Sequence, residues 1–293
     1  MTLAEAIAAW APDGSSIALG MALESLIPFA AGHELIRQGR RELELIGPIS
    51  DMLFDQLIGA GCVRRVVAAW VGNVSAGLGH NYRRAVEQGV PRDIELEEHS
   101  NFSVGLGLMA AAMGVPYLPT RTLLGSDLAR ENPRVEREAA DLLRVRAIEP
   151  DLAILQVQRA DVEGHAHCWG NLGLSKEAGL AARRVILVTE QIVPSEVILS
   201  DSNRVLLPPH KVVAVVGLAG GAHPSPVQGF YARDNAFFGE YHAGTRERAG
   251  FLRWLEEWVS GVPDRQAYLA KLGERWTALR PRERRLAAEV DYA

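Results

Sequence analysis

Three aliphatic runs restrict the fold more than any other feature of this sequence: DLAILQVQ (151–158), RRVILVTEQIV (183–193) and KVVAVVG (211–217). They are nearly continuous in Val, Ile and Leu, without the polar–apolar alternation of a half-solvated strand. Strands of this kind are buried on both faces, as in parallel sheets covered by helices. Shorter β-rich runs precede them: SSIALG (15–20), ELELIGP (42–48) and VRRVVAAWVGN (63–73). Between these lie helix-like stretches: LIPFAAGHELIRQGR (26–40), DMLFDQLIGAG (51–61) and GHNYRRAVEQG (79–89). The alternation predicts an α/β protein with an open, doubly wound, mostly parallel sheet.

IELEEH (94–99) reads as a further strand, residues 104–113 as a helix and VPYLPT (115–120) as an extended segment. Residues 134–149 read as charged and irregular. From Asp234 onward the pattern is mainly helical, and FLRWLEEWV (251–259) has clear helical spacing. The chain shows no repeat and no low-complexity linker. One α/β domain over residues 1–233 is expected, with residues 234–293 as a helical extension packed on it.

The totals exclude several classes. A net charge of −5 gives no basic excess, so nucleic acid and anionic membrane are not expected as partners. No apolar stretch approaches the roughly 18 residues needed to span a bilayer. The start, MTLAEAIAAWAPDG, reads as an amphipathic helix and not as a signal peptide. The two cysteines, Cys62 and Cys168, form no CxxC motif, and a reduced, cytoplasmic location is expected.

In doubly wound sheets, ligands bind beyond the carboxyl ends of the strands. The residues that follow the predicted strands are therefore the candidates: Gly20, Asn73 and Ser75, Ser100 and Asn101, then Thr120 and Arg121, with Gln158 and Arg159 a weaker choice. Arg121 suits a carboxylate or a phosphate held bidentately, or equally a structural ion pair.

Several motifs have a plain structural reading beside a chemical one. GLGLMA (105–110), with Asp127 further on, fits a relaxed dinucleotide pattern, but glycines inside a packed helix explain it better. GHAHCWG (164–170) offers two histidines on one strand face, yet its flanking glycines suggest a turn, and no metal site is expected. LAGGAHPSP (218–226) lacks a Walker lysine and reads as a ligand-facing or interface loop. No G-x-S-x-G elbow is present. Glu97 and Glu98 are adjacent on a strand and so point to opposite faces, which rules against a paired acid and base. Glu98 is retained as a minor candidate catalytic acid.

Four segments together resemble the α subunit of family I CoA-transferases, in the glutaconate CoA-transferase branch. They are GSSIALGMALESLIPFAAGHELIRQGRRELELIGP, AAWVGNVSAGLG, EEHSNFSVGLGLMAAAMGVPYLPTRTLLGSDL and EPDLAILQVQRADVEGHAHCWGNLG, followed by AARRVILVTEQIV. The resemblance implies the CoA-transferase/NagB-like fold and a β-type partner subunit, in an αβ or α2β2 assembly. It implies an acyl-CoA and a small carboxylic acid as substrates, with CoA thioester as substrate and no bound cofactor.

In the family the catalytic glutamate lies in a Ser-Glu-Asn-Gly-like segment of the β-type chain. The matching segment here is HSNFSVG (99–105), where Asn101 follows Ser100. An amide cannot attack a thioester as a carboxylate does, so the nucleophile is expected from the partner and none from this chain. The implied mechanism passes through an acyl–enzyme anhydride to an enzyme–CoA thioester. Gly20-Met21-Ala22 stands where the family has a Gly-Gly-Phe-like CoA loop and departs from it at Met21. The alternative is a CoA-thioester or ring-opening hydrolase component of the steroid-degradation type, for which a glutamate is expected near position 101.

Overall fold

A computed structural model describes residues 1–281. The strands, in chain order, are β1 (Ser16–Leu19), β2 (Leu43–Gly47), β3 (Val63–Ala68), β4 (Gly72–Asn73), β5 (Gly77–Leu78), β6 (Glu95–Glu98), β7 (Tyr117–Thr120), β8 (Val135–Ala139), β9 (Leu142–Arg146), β10 (Leu152–Ala160), β11 (Ala166–His167), β12 (Arg184–Ile192) and β13 (Val212–Gly217). The helices are α1 (Leu3–Trp10), α2 (Phe29–Arg37), α3 (Met52–Gly59), α4 (His80–Gln88), α5 (Asn101–Ala112), α6 (Leu128–Glu131), α7 (Ser175–Ala181), α8 (Ser195–Leu199), α9 (Asn235–Gly244), α10 (Arg248–Leu255), α11 (Arg265–Leu272) and α12 (Glu274–Leu279).

Seven strands pair in parallel in the order β13-β12-β10-β1-β2-β3-β6, and β11 pairs antiparallel with β10. The aliphatic runs supply β10, β12 and β13, and burial on both faces is what the structure has. On one face Ile17, Leu19, Leu45, Val66, Ile154 and Ile186 pack under α2 and α3. On the other, Ala18, Ile46, Val67, Ala153, Leu155 and Leu187 pack with Val104 and Leu108 of α5 and Ala178 of α7. Alternate residues of each strand thus enter opposite cores, the arrangement that a strand without polar alternation requires.

The C-terminal helices join the first core through Phe237, Phe238, Tyr241, Phe251, Trp254 and Tyr268. Each such buried aromatic contributes about 1.5–3 kcal/mol. The helical expectation from Asp234 holds for α9 to α12, while residues 282–293 lie outside the described residues.

Residues 134–149 differ from the expectation. They form a hairpin, β8–β9, which with β7 makes a three-stranded antiparallel sheet. Val135, Leu143 and Val145 point inward to a small core of their own. The outward face carries Arg144 between Glu136 and Glu138, at 2.6 and 2.8 Å. The dense charge is the solvated face of a ribbon.

Candidate functional site

From β1 the chain builds the sheet outward through β2 and β3 on one side, and β10 and β12 fill the other. The switch point between β1 and β10 opens a crevice at the strands' carboxyl ends, where α/β sheets bind ligands. Gly20 makes the turn out of β1 at φ +69°, and a Cβ there would lie 2.6 Å from Ser50 Cβ. Only glycine fits both the conformation and the space. Ser50, in the turn after β2, donates to Leu19 O at 2.9 Å and ties the two turns together.

Asp51 follows at φ +44°, sparsely populated backbone for a non-glycine residue, and precedes α3. Its fully buried carboxylate accepts from Val74 N at 3.1 Å and from Arg233 Nη2 at 3.0 Å. Burial pushes its pKa up to about 6, with Arg233 opposing.

The second element of the edge is the passage from β6 into α5. Ser100 caps α5 by accepting from Ser103 N at 3.0 Å, so the helix begins at Asn101, three residues before the apolar run. Glu97 pairs with Val67 and Glu98 with Ala68, and these partners belong to opposite cores. Glu97 therefore lies on the α5 face, while Glu98 is exposed on the other face, in the field of Tyr82.

Buried Glu97 is clamped. Its Oε1 accepts from Arg134 Nε at 2.6 Å and bonds His99 Nε2 at 2.8 Å, and its Oε2 pairs with Arg65. His99 Nδ1 continues to Ser103 Oγ at 2.9 Å. Burial alone pushes the Glu97 carboxyl up, but His99, Arg134 and Arg65 together outweigh it and hold it down near about 2.

Beside these turns lies an open hollow of about 400 Å³. Its lining is Met21, Leu23 and Pro48 from the turns, Phe102, Gly105, Leu106 and Met109 from α5, and Gly173 and Leu174 from the opposite side, with Asn101 the sole polar side chain.

The positions expected to bind ligand divide into groups. Gly20, Ser100 and Asn101 belong to this edge, and Asn101 lines the hollow. Asn73 is buried; its Nδ2 donates to Phe238 O at 2.7 Å and its Oδ1 accepts from Ser75 N at 3.0 Å, while Ser75 is exposed. Thr120 ends β7 and bonds Thr122 Oγ1 at 2.8 Å. Arg121, 76% exposed, pairs with Asp141 at 2.9 Å. Gln158 is buried and brackets the Trp169 backbone, and Arg159 lies over the Trp169 ring at 5.0 Å.

The remaining motifs are structural. Gly105 and Gly107 sit inside α5, where Cβ atoms would meet Leu174 at 3.1 Å and Ile148 at 2.6 Å, so the glycines allow close packing. In GHAHCWG, His165 bonds Asp161 at 2.9 Å, while His167 bonds the carbonyls of Ile198 and Asp201 at 2.8 and 3.0 Å. The two histidines thus have separate partners; no metal-holding cluster of His, Cys, Asp and Glu occurs among the described residues. Cys62 and Cys168 are free and buried, and burial pushes their thiols up to about 11 and about 12. No helix among the described residues is long and apolar enough to cross a membrane.

Sequence reasoning missed a carboxyl group at the glycine loop 218–226. Glu190 of β12 accepts from Gly220 N at 2.7 Å, Tyr231 Oη at 2.6 Å and Gln156 Nε2 at 2.9 Å. Burial pushes it up to about 7. The signal was the single acid inside RRVILVTEQIV, a buried run where an unpaired carboxylate would be costly.

Comparison with known proteins agrees with this geometry. The chain is 38% identical over 279 residues to the α-type subunit of the 3-oxoadipate CoA-transferase of Pseudomonas knackmussii, covering 94% of this chain and 98% of that one. The crystal structure of glutaconate coenzyme A-transferase from Acidaminococcus fermentans superposes with a TM-score of 0.89 at 29% identity, covering 96% of this chain and 95% of that one. The cholesterol ring-cleaving hydrolase IpdA subunit of Mycobacterium tuberculosis is more distant, 27% identical over 195 residues, 61% of this chain and 67% of that one. Residues 1–217 match the Coenzyme A transferase family model, and the chain belongs to that family.

Proposed function

We propose that this chain is the α subunit of a two-component CoA-transferase, which moves CoA between an acyl-CoA and a small carboxylic acid. The partner, a β-type subunit, brings the attacking glutamate. One observation carries the division of labour: the edge of the sheet offers turns, a capped helix and an apolar hollow, but no carboxylate there is placed to attack. Glu97 is held by three partners, Asp51 is buried against Arg233, and Glu98 faces away from α5.

In this reading the partner's carboxylate adds to the thioester carbonyl and expels CoA thiolate, leaving a mixed anhydride. The thiolate then attacks the anhydride's enzyme carbonyl and releases the acyl group as free acid. The acceptor acid reverses both steps, so the thioester bond energy is conserved. CoA thioester is a substrate here and not a resident cofactor.

Gly20, Ser100 and Asn101 form the wall nearest the acyl carbon. Ser75 and Arg121, both exposed, are the outer positions for a charged group such as a CoA phosphate or an acceptor carboxylate. Asn73 and Thr120 hold the turns behind them. The two free thiols support a reducing, cytoplasmic setting. The test supplies the assembled pair with acyl-CoA and either a free acid or water. Exchange with the acid supports the transferase; release of free CoA in water at the same rate would favour the hydrolase reading instead.

A further inference from the structure

We infer that the hollow beside α5 receives the acyl group of the CoA thioester, and that this group is apolar and carries no second carboxylate. The inference rests on the transferase reading and adds the substrate class. On α5, Phe102, Leu106, Met109 and Met113 recur at helical spacing and share one face. Three of them are left in water, Phe102 at 55%, Met109 at 40% and Met113 at 64% exposure. The face is concave and not flat, because Gly105 removes a side chain and opens the floor onto Leu174. About 400 Å³ is the size class of small-molecule sites.

The chemistry of the lining selects the ligand. No charged side chain lines the hollow. The guanidinium groups nearest α5, Arg65 and Arg134, are already paired with Glu97. A distal carboxylate pushed into this hollow would lose its water and meet no cation, which is costly. A straight or branched hydrocarbon chain, or an aromatic ring, loses nothing polar and covers exposed methionine and phenylalanine. Asn101, at the rim, has an amide to offer the thioester end of the group, where the polarity changes.

The experiment uses the complex with the β-type partner, acetate as acceptor, and hexanoyl-CoA against glutaryl-CoA as donors. Hexanoyl-CoA is expected to show a kcat/KM at least about 30-fold above glutaryl-CoA. Met109→Arg places a cation at the rim and is expected to lower that ratio at least about tenfold, with the assembled complex intact by sedimentation. Leu106→Ala is the second variant, should Met109→Arg not assemble; it enlarges the hollow and is expected to shift the preference toward longer or branched acyl chains. Equal use of the two donors, or a preference for glutaryl-CoA, overturns the inference while leaving the transferase reading in place. So does an unchanged ratio in the assembled Met109→Arg complex, or in Leu106→Ala an unchanged chain-length profile, which would mean that side chains of the partner fill the hollow. Absence of CoA transfer from any donor overturns both.

Discussion

Glu97→Gln is the most informative perturbation of the site, because it separates a structural carboxylate from a chemical one. The substitution keeps the shape and removes the charge that holds Arg134, Arg65 and His99. Breaking a buried ion pair costs about 3–5 kcal/mol. Arg65 and Arg134 are 26% and 27% exposed and can regain water, which points to the low end, about 3 kcal/mol. The depression of the carboxyl from 4.5 to about 2 gives the same order, about 3 kcal/mol. At about 2–4 °C per kcal/mol the melting temperature should fall by about 6–12 °C.

The pH dependence follows from the sign of the shift. A depressed carboxyl adds stability above its unfolded value, and this is lost as pH falls from about 4.5 through about 2. Glu97→Gln should lack that acid arm. Thermal melts from about pH 3 to 7 measure both effects, and turnover of the assembled pair should stay within about fivefold of wild type per folded complex. A variant that melts like wild type but loses about 10⁴-fold in kcat would refute the reasoning and make Glu97 the reacting group.

Four further outcomes follow from the same geometry. Glu98→Gln should retain most activity in the reconstituted complex, since its side chain lies on the face away from α5; a loss near about 10⁴-fold would make it the chemical residue. Gly20→Ala should cost about 2–4 kcal/mol in urea unfolding, from left-handed backbone strain plus overlap with Ser50, and a cost under about 1 kcal/mol would contradict the packing described. Arg121→Ala should change stability by no more than about 0.5 kcal/mol, because the ion pair with Asp141 is exposed; it should raise the apparent KM for a charged substrate, and an unchanged KM would remove Arg121 from the site. Asp51 and Glu190 are raised to about 6 and about 7, so their stabilisation is complete below about pH 4 and lost as pH rises through those values; urea midpoints should decline over that window, less so in Glu190→Gln.

Much of the fold was legible because burial on both faces leaves a local signature. VRRVVA, LAILQVQ and VILVT became strands of one parallel sheet, and the helices between them fell where the periodicity changed. VEREA and LLRVR were not legible as a hairpin, because their inward residues, Val135, Leu143 and Val145, are few and set among arginines and glutamates. The candidate site was legible in part. Position after a strand selected Gly20, Ser100 and Asn101, which border the crevice. It also selected Asn73, whose amide instead reaches Phe238 O, 165 residues away in sequence. Glu97 was recognised as the partner of Glu98 in sequence, but its partners in space, Arg65 and Arg134, come from β3 and the loop before β8. Distant pairing of this kind has no local pattern. The hollow was missed because Met21, Phe102, Met109 and Leu174 read individually as core residues.

The central claim is that the reacting carboxylate belongs to the companion chain. The most direct measurement incubates the assembled pair with acyl-CoA alone, reduces with borohydride, and locates the modified residue by peptide mass analysis of both polypeptides. Reduction of an enzyme–CoA thioester converts the attacking glutamate into a primary alcohol. The account predicts that alcohol on a glutamate of the β-type partner, with Glu97 and Glu98 of this chain unaltered; an alcohol at Glu97 or Glu98, or thioester turnover by this chain without its partner, would contradict it.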